Sequence, residues 1–274
     1  MSYHRLRNIV EAVSLLRESI EWREEGLELI SNFLKLAMSC TMPADILLPL
    51  KLPMQLRAYC PSHLLPEAWR NALHIFYRLD YEQLREFRPR EGWTVLDVGA
   101  FIGLYTLRAA KLVGVGGAVI SVEPLDVNAR YLALNVYVNS LRNVTLVKGC
   151  AWVSWGKARI YVPGSAINAT LSREYARAMG GASRIIAVRC LPLDSLIEKA
   201  GRVDLMKVDV EGAELDLVTG SLKVRPQLVN RVVIEVHTDV VRPSEIAETL
   251  EERGYEVFIY LPEDSPLQAF VYAY

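Results

Sequence analysis

The chain has 274 residues, of which 51% are hydrophobic and 23% charged, and its formal net charge is −1 at pH 7. This composition is that of an ordinary globular protein, and it excludes collagen-like, disulfide-scaffold and intrinsically disordered chains. The near-neutral charge gives no strong nucleic-acid signal. Cys40, Cys60, Cys150 and Cys190 form no C-x-x-C pair, so we predict neither a zinc site nor a disulfide framework.

The N-terminal residues carry charges at Arg5, Arg7 and Glu11, which is unlike a secretory signal. The most apolar early stretch, residues 36–50, is too short and too interrupted by proline and aspartate to span a bilayer. We therefore expect a soluble, cytoplasmic protein with no membrane span. Arginine outnumbers lysine, which we interpret as a slight indication of a thermophilic source. The oligomeric state is left open.

Residues 1–88 are predicted to form a helical N-terminal region. Apolar side chains recur at spacings of three and four from Leu6 to Ile20, and again from Leu27 to Leu34. Prolines between residues 43 and 61 then divide the chain into turns and short pieces. A further helix is expected to begin near Pro66, because proline suits a first helical turn. We interpret this region as a lid or as the part that selects a substrate.

Residues 89–274 are predicted to form a doubly wound α/β domain, because short apolar runs alternate with helical patterns. Two further strands close together at the end of the chain predict an antiparallel hairpin. An insertion between residues 151 and 190 adds strand patterns at 158–162 and 184–189. The main predicted strands are 94–98, 118–122, 144–148, 204–208, 232–236, 256–261 and 268–274, and the predicted helices are 104–112, 128–139, 213–222 and 244–253.

A glycine turn follows the first of these strands, in the segment from Val95 to Thr106. Gly99 would let the backbone approach a ligand, and Gly103 would let the next helix pack closely. The spacing, D-x-G-x-x-x-G, differs from the G-x-G-x-x-G of dinucleotide sites. Asp97 would repel a pyrophosphate and would favour a cationic ligand. S-adenosylmethionine, which carries an ammonium and a sulfonium group but no phosphate, fits this requirement.

The second strand ends at Glu123, which lies 20 residues after Gly103. An acid at this place is positioned to accept hydrogen bonds from both ribose hydroxyls of a nucleoside. Together with the glycine turn, it predicts a nucleoside-containing cofactor. The alternative is that Asp97 and Glu123 only cap the helices that follow them.

Polar residues follow the fourth and fifth strands, where a central strand should be apolar. Lys207 and Asp209 share one strand face, Glu235 and His237 share another, and Glu211 follows in a turn. These side chains are expected to meet at the carboxyl edge of the sheet. We interpret them as a catalytic cluster in which His237 is a general base, Asp209 or Glu235 orients it, and Lys207 keeps the carboxylates ionised. The alternative is a structural ion-pair network.

Magnesium is a further alternative for this cluster. Asp209, Glu211, Glu235 and His237 include the oxygen ligands that Mg²⁺ prefers. No metal is assigned from the sequence, because no spacing enforces a coordination geometry.

With these residues in view, the chain resembles the FkbM family of S-adenosylmethionine-dependent methyltransferases over roughly residues 88–260. The resemblance is carried by the segments VLDVGAFIGLYTLRAAKLVG, GAVISVEP, LALNVYVNSLRNVTLVKGCAW, LPLDSLI and VDLMKVDVEGAEL. It implies the class I methyltransferase fold, a Rossmann-like sheet of seven strands with an antiparallel last strand. It also implies methyl transfer to a hydroxyl oxygen, typically on a sugar or natural product.

The resemblance further implies which residues form the site. Asp97, Gly99 and Gly103 match the family's cofactor loop, and Phe101 stands where the family often has asparagine. Lys207, Asp209 and Glu211 match the fourth-strand motif. The predicted cofactor-binding residues are Asp97, Gly99, Ala100, Phe101, Gly103, Tyr105, Thr106, Glu123, Pro124, Asn128, Cys150, Ala151 and Asp209. The predicted catalytic residues are His237, Asp209, Lys207, Glu211 and Glu235.

The expected activity is O-methylation, dependent on S-adenosylmethionine, of a hydroxyl on a sugar, glycan or natural product. One alternative is a methyltransferase acting on tRNA or rRNA. Those that methylate amino groups usually follow the fourth strand with an Asn/Asp-Pro-Pro or Asn-Leu-Pro turn, whereas here the turn is Asp209-Val210-Glu211-Gly212. An RNA 2′-hydroxyl remains an allowed acceptor. The second alternative is a cofactor-binding protein without catalytic activity.

Overall fold

The computed structural model describes residue 35 and residues 46–163, 169–263 and 265–274. The helical patterns predicted at residues 6–20 and 27–34 lie outside these ranges. The helix expected near Pro66 is confirmed as α1, Leu65–Ala72, with the proline in its first turn. A π-helical segment, Leu73–Arg78, continues it.

The first elements of the described chain are two antiparallel strands, β1 (Leu47–Leu52) and β2 (Leu56–Pro61). The sequence predicted only turns and short pieces here, within a helical N-terminal region, so this hairpin corrects the prediction over residues 47–61. Side chains along β1 alternate between exposed and buried, which is the period of a strand with one covered face. Pro49 obscured this pattern, yet it is tolerated because β1 pairs with a single neighbour and does not need every backbone donor.

The remaining elements follow in chain order. The strands are β3 (Thr94–Val98), β4 (Ala118–Glu123), β5 (Val144–Lys148), β6 (Cys150–Trp152), β7 (Gly156–Val162), β8 (Arg184–Pro192), β9 (Leu205–Val208), β10 (Val232–His237), β11 (Val257–Tyr260) and β12 (Gln268–Ala273). The helices are α2 (Leu104–Val113), α3 (Asp126–Val138), α4 (Arg173–Ala178), α5 (Leu193–Ala200), α6 (Glu214–Gly220) and α7 (Pro243–Glu251). Among the described helices, none combines the length and the apolar character needed to cross a lipid bilayer.

The central sheet has seven strands in the order β5-β4-β3-β9-β10-β12-β11. Neighbouring strands are parallel except at β12, which runs antiparallel to β10 and to β11. This arrangement confirms the predicted doubly wound sheet with its antiparallel last strand. Since β3, β4, β9 and β10 are parallel, their carboxyl ends meet at one edge, where ligands bind in open α/β sheets.

The insertion between β5 and β9 forms a second, three-stranded sheet in the order β6-β8-β7. The strands predicted at 158–162 and 184–189 are confirmed within β7 and β8. Two short helices in this part, α4 and α5, were not predicted. Each spans only about two turns, which is too short for apolar spacing to distinguish a helix with certainty, although Leu193, Leu196 and Ile197 form one buried face of α5.

The segment before residue 88 packs directly onto the sheet domain. Arg108 on α2 makes two hydrogen bonds to the Glu82 carboxylate, at 2.7 and 2.8 Å, with both side chains almost fully buried. The Tyr272 hydroxyl on β12 donates to the Asp80 carbonyl, and the Phe87 ring lies 4.8 Å from the Tyr272 ring. Residues on both sides of position 88 therefore share one hydrophobic core.

The pair of Arg108 and Glu82 gives a test of this docking. In Glu82→Gln, Arg108 remains buried without its carboxylate, so we expect the free energy of unfolding in urea to fall by about 3 kcal/mol. Glu245→Gln is the matched control, because it breaks an ion pair with Arg242 that is exposed to solvent, and we expect no measurable change. Equal effects of the two substitutions would contradict the docking described here.

Candidate functional site

The carboxyl ends of β3, β4 and β9 border a cavity. The structure places there eight of the residues predicted to bind a cofactor: Gly99, Phe101, Glu123, Pro124, Asn128, Cys150, Ala151 and Asp209. Five others do not line the cavity: Asp97, Ala100, Gly103, Tyr105 and Thr106. Most of the residues predicted to bind a cofactor thus lie together around one cavity, and the other five lie outside its lining.

The two glycines of the β3–α2 turn have left-handed backbone conformations, with φ of +81° at Gly99 and +90° at Gly103. A Cβ on Gly99 would lie 1.8 Å from the Asp209 carbonyl oxygen, so the protein's own backbone at the end of β9 already requires glycine here. Gly99 also lines the cavity, and its close approach to a ligand stays a prediction. A Cβ on Gly103 would lie 2.8 Å from Leu132 Cγ, which confirms the predicted close packing of the helices.

Asp97 is fully buried and supports the turn from beneath. Its Oδ2 accepts a hydrogen bond from Thr106 Oγ1 at 2.6 Å, and its Oδ1 lies 3.4 Å from Lys207 Nζ. Thr106 also contacts Ser121 Oγ at 2.8 Å. The Tyr105 ring packs edge-on against Tyr81, with ring centres 5.3 Å apart. These residues hold the strands and the helix in place, and the contact of Asp97 with a cationic ligand stays a prediction.

Glu123 is a buried carboxylate at the cavity wall. Its Oε2 accepts the Phe101 amide at 2.9 Å, and its Oε1 accepts the Leu125 amide at 2.9 Å and the Asn128 side-chain amide at 3.1 Å. Burial raises the pKa of Glu123 to about 7, even though these hydrogen bonds favour the ionised form. An ionised carboxylate here would gain from further donors, such as a pair of sugar hydroxyls.

Lys207 lies at the centre of the cluster on β9. Its Nζ donates to the Gly99 carbonyl at 2.8 Å and lies 3.4 Å from one carboxylate oxygen each of Asp97 and Asp209. Burial alone would lower the pKa of Lys207, but Asp209 and Asp97 outweigh it and raise that pKa. The amine is therefore charged.

His237 lies between two carboxylates at the end of β10. Its Nε2 is 3.1 Å from Glu211 Oε2, and its Nδ1 is 2.9 Å from Glu214 Oε1. The prediction that Asp209 or Glu235 orients the ring is therefore wrong, because the turn after β9 directs Glu211 and Glu214 towards it. Burial would lower the pKa of His237, but the two carboxylates outweigh burial and raise it well above its ordinary value. A charged imidazole cannot accept a proton, which argues against His237 as general base.

Glu235 belongs to a separate network facing the N-terminal segment. Its Oε2 accepts a hydrogen bond from the Tyr81 hydroxyl, and its Oε1 accepts one from Gln268 Nε2 at 2.5 Å. Burial and the nearby Asp209 raise the pKa of Glu235 to about 7. Glu235 does not line the cavity. Of the predicted catalytic residues, Asp209 and Glu211 line the cavity, whereas Glu235 does not.

Several residues of the site were not identified from the sequence. Glu214 lies in the quoted segment VDLMKVDVEGAEL and is fully buried, but nothing in its spacing distinguished it from Glu211. Tyr175 on α4 donates to Glu211 Oε2 at 2.5 Å, and Asn71 on α1 lines the cavity. Tyr175, Asn71 and Tyr81 come from distant parts of the chain and carry no local signal.

Gly99 gives a test of the turn geometry. Gly99→Ala places a methyl group against the Asp209 carbonyl and requires a left-handed alanine, so we expect about 3 kcal/mol of lost stability. Gly116→Ala is the matched control, because a Cβ there meets nothing within 4 Å. Urea denaturation of both variants provides the measurement, and a Gly99→Ala protein as stable as the control would refute the described contact.

The chain is similar to known proteins both in sequence and in fold. A model of the methyltransferase FkbM domain matches residues 97–257. The methyltransferase sdnD of Sordaria araneosa is 28% identical over 195 residues, which are 60% of this chain and 73% of sdnD. The AMB antimetabolite synthetase AmbE of Pseudomonas aeruginosa is 28% identical over 204 residues, 60% of this chain but only 10% of AmbE.

Among solved structures, a SAM-dependent methyltransferase from Aquifex aeolicus is 22% identical, with a TM-score of 0.43, and the match covers 73% of this chain and 90% of that one. The match to the family model establishes the family, because it spans more than half of the chain. It contains the glycine turn, Glu123 and the polar cluster described above. The protein therefore belongs to the FkbM family and is a methyltransferase that uses S-adenosylmethionine.

Proposed function

We propose that the protein methylates a hydroxyl oxygen of a sugar, a glycan or another natural product. The observation that carries this proposal is that Asp209 and Glu211 line the same cavity as Glu123. Asp209 and Glu211 can accept a hydrogen bond from a hydroxyl, and they share the cavity with Glu123, the acid suited to a ribose. The name of AmbE, an antimetabolite synthetase, supports a small-molecule acceptor.

The cavity residues fit the cofactor. Glu123 would accept hydrogen bonds from the ribose hydroxyls, and Phe101, Cys150 and Ala151 would provide apolar contact for the adenine ring. When bound, S-adenosylmethionine supplies a methyl group activated by its positive sulfur. The excess of carboxylates over cations around the cavity favours such a positively charged molecule.

Asp209 is the residue best placed to receive the acceptor's proton. Its side chain lines the cavity and keeps 13% of its surface exposed. Lys207 Nζ lies 3.4 Å from its Oδ2 and places a positive charge beside the carboxylate. The acceptor hydroxyl would donate a hydrogen bond to this carboxylate, which would take up its proton as the methyl group is transferred. Positioning of the two reactants would provide most of the acceleration. In this proposal His237 is a positioning residue that holds Glu211.

An adjoining groove of about 630 Å³ is a suitable place for the acceptor. It shares Trp152, Leu171 and Ala213 with the cofactor cavity, and Arg159 and Tyr161 form part of its wall. Aromatic faces combined with charged hydrogen-bonding groups suit a hydroxylated ring. The groove therefore supports a sugar-like acceptor, with the methylated hydroxyl at the end nearest Asp209.

The pKa of Glu123 predicts a pH dependence of cofactor binding. Ribose hydroxyls donate to the ionised carboxylate, so a group with a pKa of about 7 must lose its proton on binding. We expect the affinity for S-adenosylmethionine, measured by calorimetry, to rise about tenfold from pH 6 to pH 8 and then to level off. Glu123→Gln should bind more weakly and show no such rise. A wild-type affinity independent of pH would refute this role of Glu123.

The acceptor class is tested by incubating the protein with methyl-labelled S-adenosylmethionine and an extract of its source organism. We expect label in the small-molecule or glycan fraction, and at least a hundredfold less label with Asp209→Asn, since general bases contribute about that much. Label released by ribonuclease would identify an RNA acceptor and overturn the proposal. Label on protein outside an attached glycan would also overturn it. Cofactor binding without labelling of any fraction would favour a non-catalytic protein.

A further inference from the structure

We propose that Asp209, Glu211 and His237 form a binding site for one divalent cation at the carboxyl edge of the sheet. Each of the three side chains offers one ligand atom, and these atoms all lie within 4.8 Å of one another. Asp209 and Glu211 line the cofactor cavity, so the proposed ion would lie where the acceptor hydroxyl approaches.

The spacing of the donor atoms fits a coordination sphere. Neighbouring ligands of an octahedral ion with bonds of about 2.1 Å are separated by about 3.0 Å. His237 Nε2 and Glu211 Oε2 are 3.1 Å apart, so they can occupy one edge of such an octahedron. Asp209 adds an enclosed oxygen, Oδ1, that accepts no hydrogen bond from any described residue. The remaining positions would be open to water or to a substrate oxygen.

A second, independent observation is the support behind His237. Glu214 has no exposed side-chain surface, and its Oε1 lies 2.9 Å from His237 Nδ1 and accepts the Gly212 amide at 2.8 Å. Its other oxygen, Oε2, is buried and accepts no hydrogen bond from any described residue. In metal sites a coordinating histidine almost always donates its second N–H to a carboxylate or carbonyl, which fixes the ring. Glu214 therefore orients Nε2 towards Glu211, as a metal ligand requires.

The formal charges also favour a cation. Four carboxylates, those of Asp97, Asp209, Glu211 and Glu214, are buried or nearly so, and they face two cationic side chains, Lys207 and His237. An ion bound at Nε2 would replace the proton that makes His237 cationic, so the four carboxylates would then face only the charge of Lys207. Three negative charges would remain without a partner of opposite sign in this cluster. Buried charge of one sign is costly, and a divalent cation would offset it.

The donor set indicates which ions fit. Two carboxylates and one imidazole suit Mg²⁺ and Mn²⁺, and manganese accepts a nitrogen ligand more readily. Glu235, part of the set considered for magnesium from the sequence, does not belong to this group of three, and its oxygens accept hydrogen bonds from Tyr81 and Gln268. Glu211 Oε2 accepts a hydrogen bond from Tyr175, which the ion would displace. The role of the ion rests on the proposed function: it would bind the acceptor hydroxyl and lower its pKa.

Manganese titration of the full-length protein, freed of metal by a chelator, tests the site by electron paramagnetic resonance. We expect one Mn²⁺ per chain, and a loss of affinity of at least a hundredfold in Glu211→Gln and in His237→Gln. Glu214→Gln should weaken binding by about 10- to 100-fold, because it removes only the support of the ring. Asp126→Asn is the control, since it removes the same charge from an exposed pair with Lys148 and should bind Mn²⁺ unchanged.

Pulsed resonance on the wild-type protein provides a measurement that needs no variant. Bound Mn²⁺ should show coupling to an imidazole ¹⁴N nucleus. Absence of Mn²⁺ binding, absence of that coupling, or binding unaffected in folded Glu211→Gln and His237→Gln would each overturn the proposal. Mn²⁺ binding is measured without the methyl acceptor, so a protein that binds Mn²⁺ but labels no hydroxyl would refute the proposed function and leave the cation site standing.

Discussion

The pairing of Lys207 with Asp97 and Asp209 is the interaction on which the rest of the site depends. One amine on β9 contacts the Gly99 carbonyl and lies 3.4 Å from both carboxylates, so it joins the ends of β3 and β9. Without it, two buried carboxylates would lie close together with no cation between them, at a cost of several kcal/mol. The strand ends beside the cavity are therefore joined by charge as well as by apolar packing, which explains why polar residues interrupt a fully buried strand of the sheet.

This arrangement separates the acids of the site by environment. Glu123 lies among backbone amides and has a pKa of about 7, whereas Asp209 lies beside a buried ammonium group. Glu235 is held apart by Tyr81 and Gln268, and Tyr81 also places its ring 5.5 Å from the Lys207 amine. Through Tyr81 the N-terminal segment contacts the catalytic domain's central cation. We infer that this segment contributes to the site, as a lid or a selector of the acceptor would.

Sequence reasoning located the sheet well because buried parallel strands are continuous apolar runs, as in Thr94–Val98, whose observed bounds match the predicted ones. It missed the first hairpin because prolines disguised its alternation. The sequence indicated Glu123 and Asp209 as candidate site residues because both lie at strand ends. It did not identify the partners of His237, since Glu211 has a left-handed backbone with φ of +56° that redirects the turn, and spacing along the chain does not reveal such a reversal. Contacts from Tyr81 and Asn71 depend on the packing of distant segments.

The contact between Gly99 and the Asp209 carbonyl affects how related sequences should be interpreted. Since the protein's own backbone occupies the space that a side chain would need, glycine is required here by the fold, whatever the cavity binds. A relative that had lost its cofactor would still be under selection to keep this glycine. The residue equivalent to Glu123 would keep a structural role as well, because it accepts the Phe101 and Leu125 amides whether or not a ligand is bound. Retention of the glycine and the acid therefore does not by itself distinguish an active enzyme from an inactive descendant.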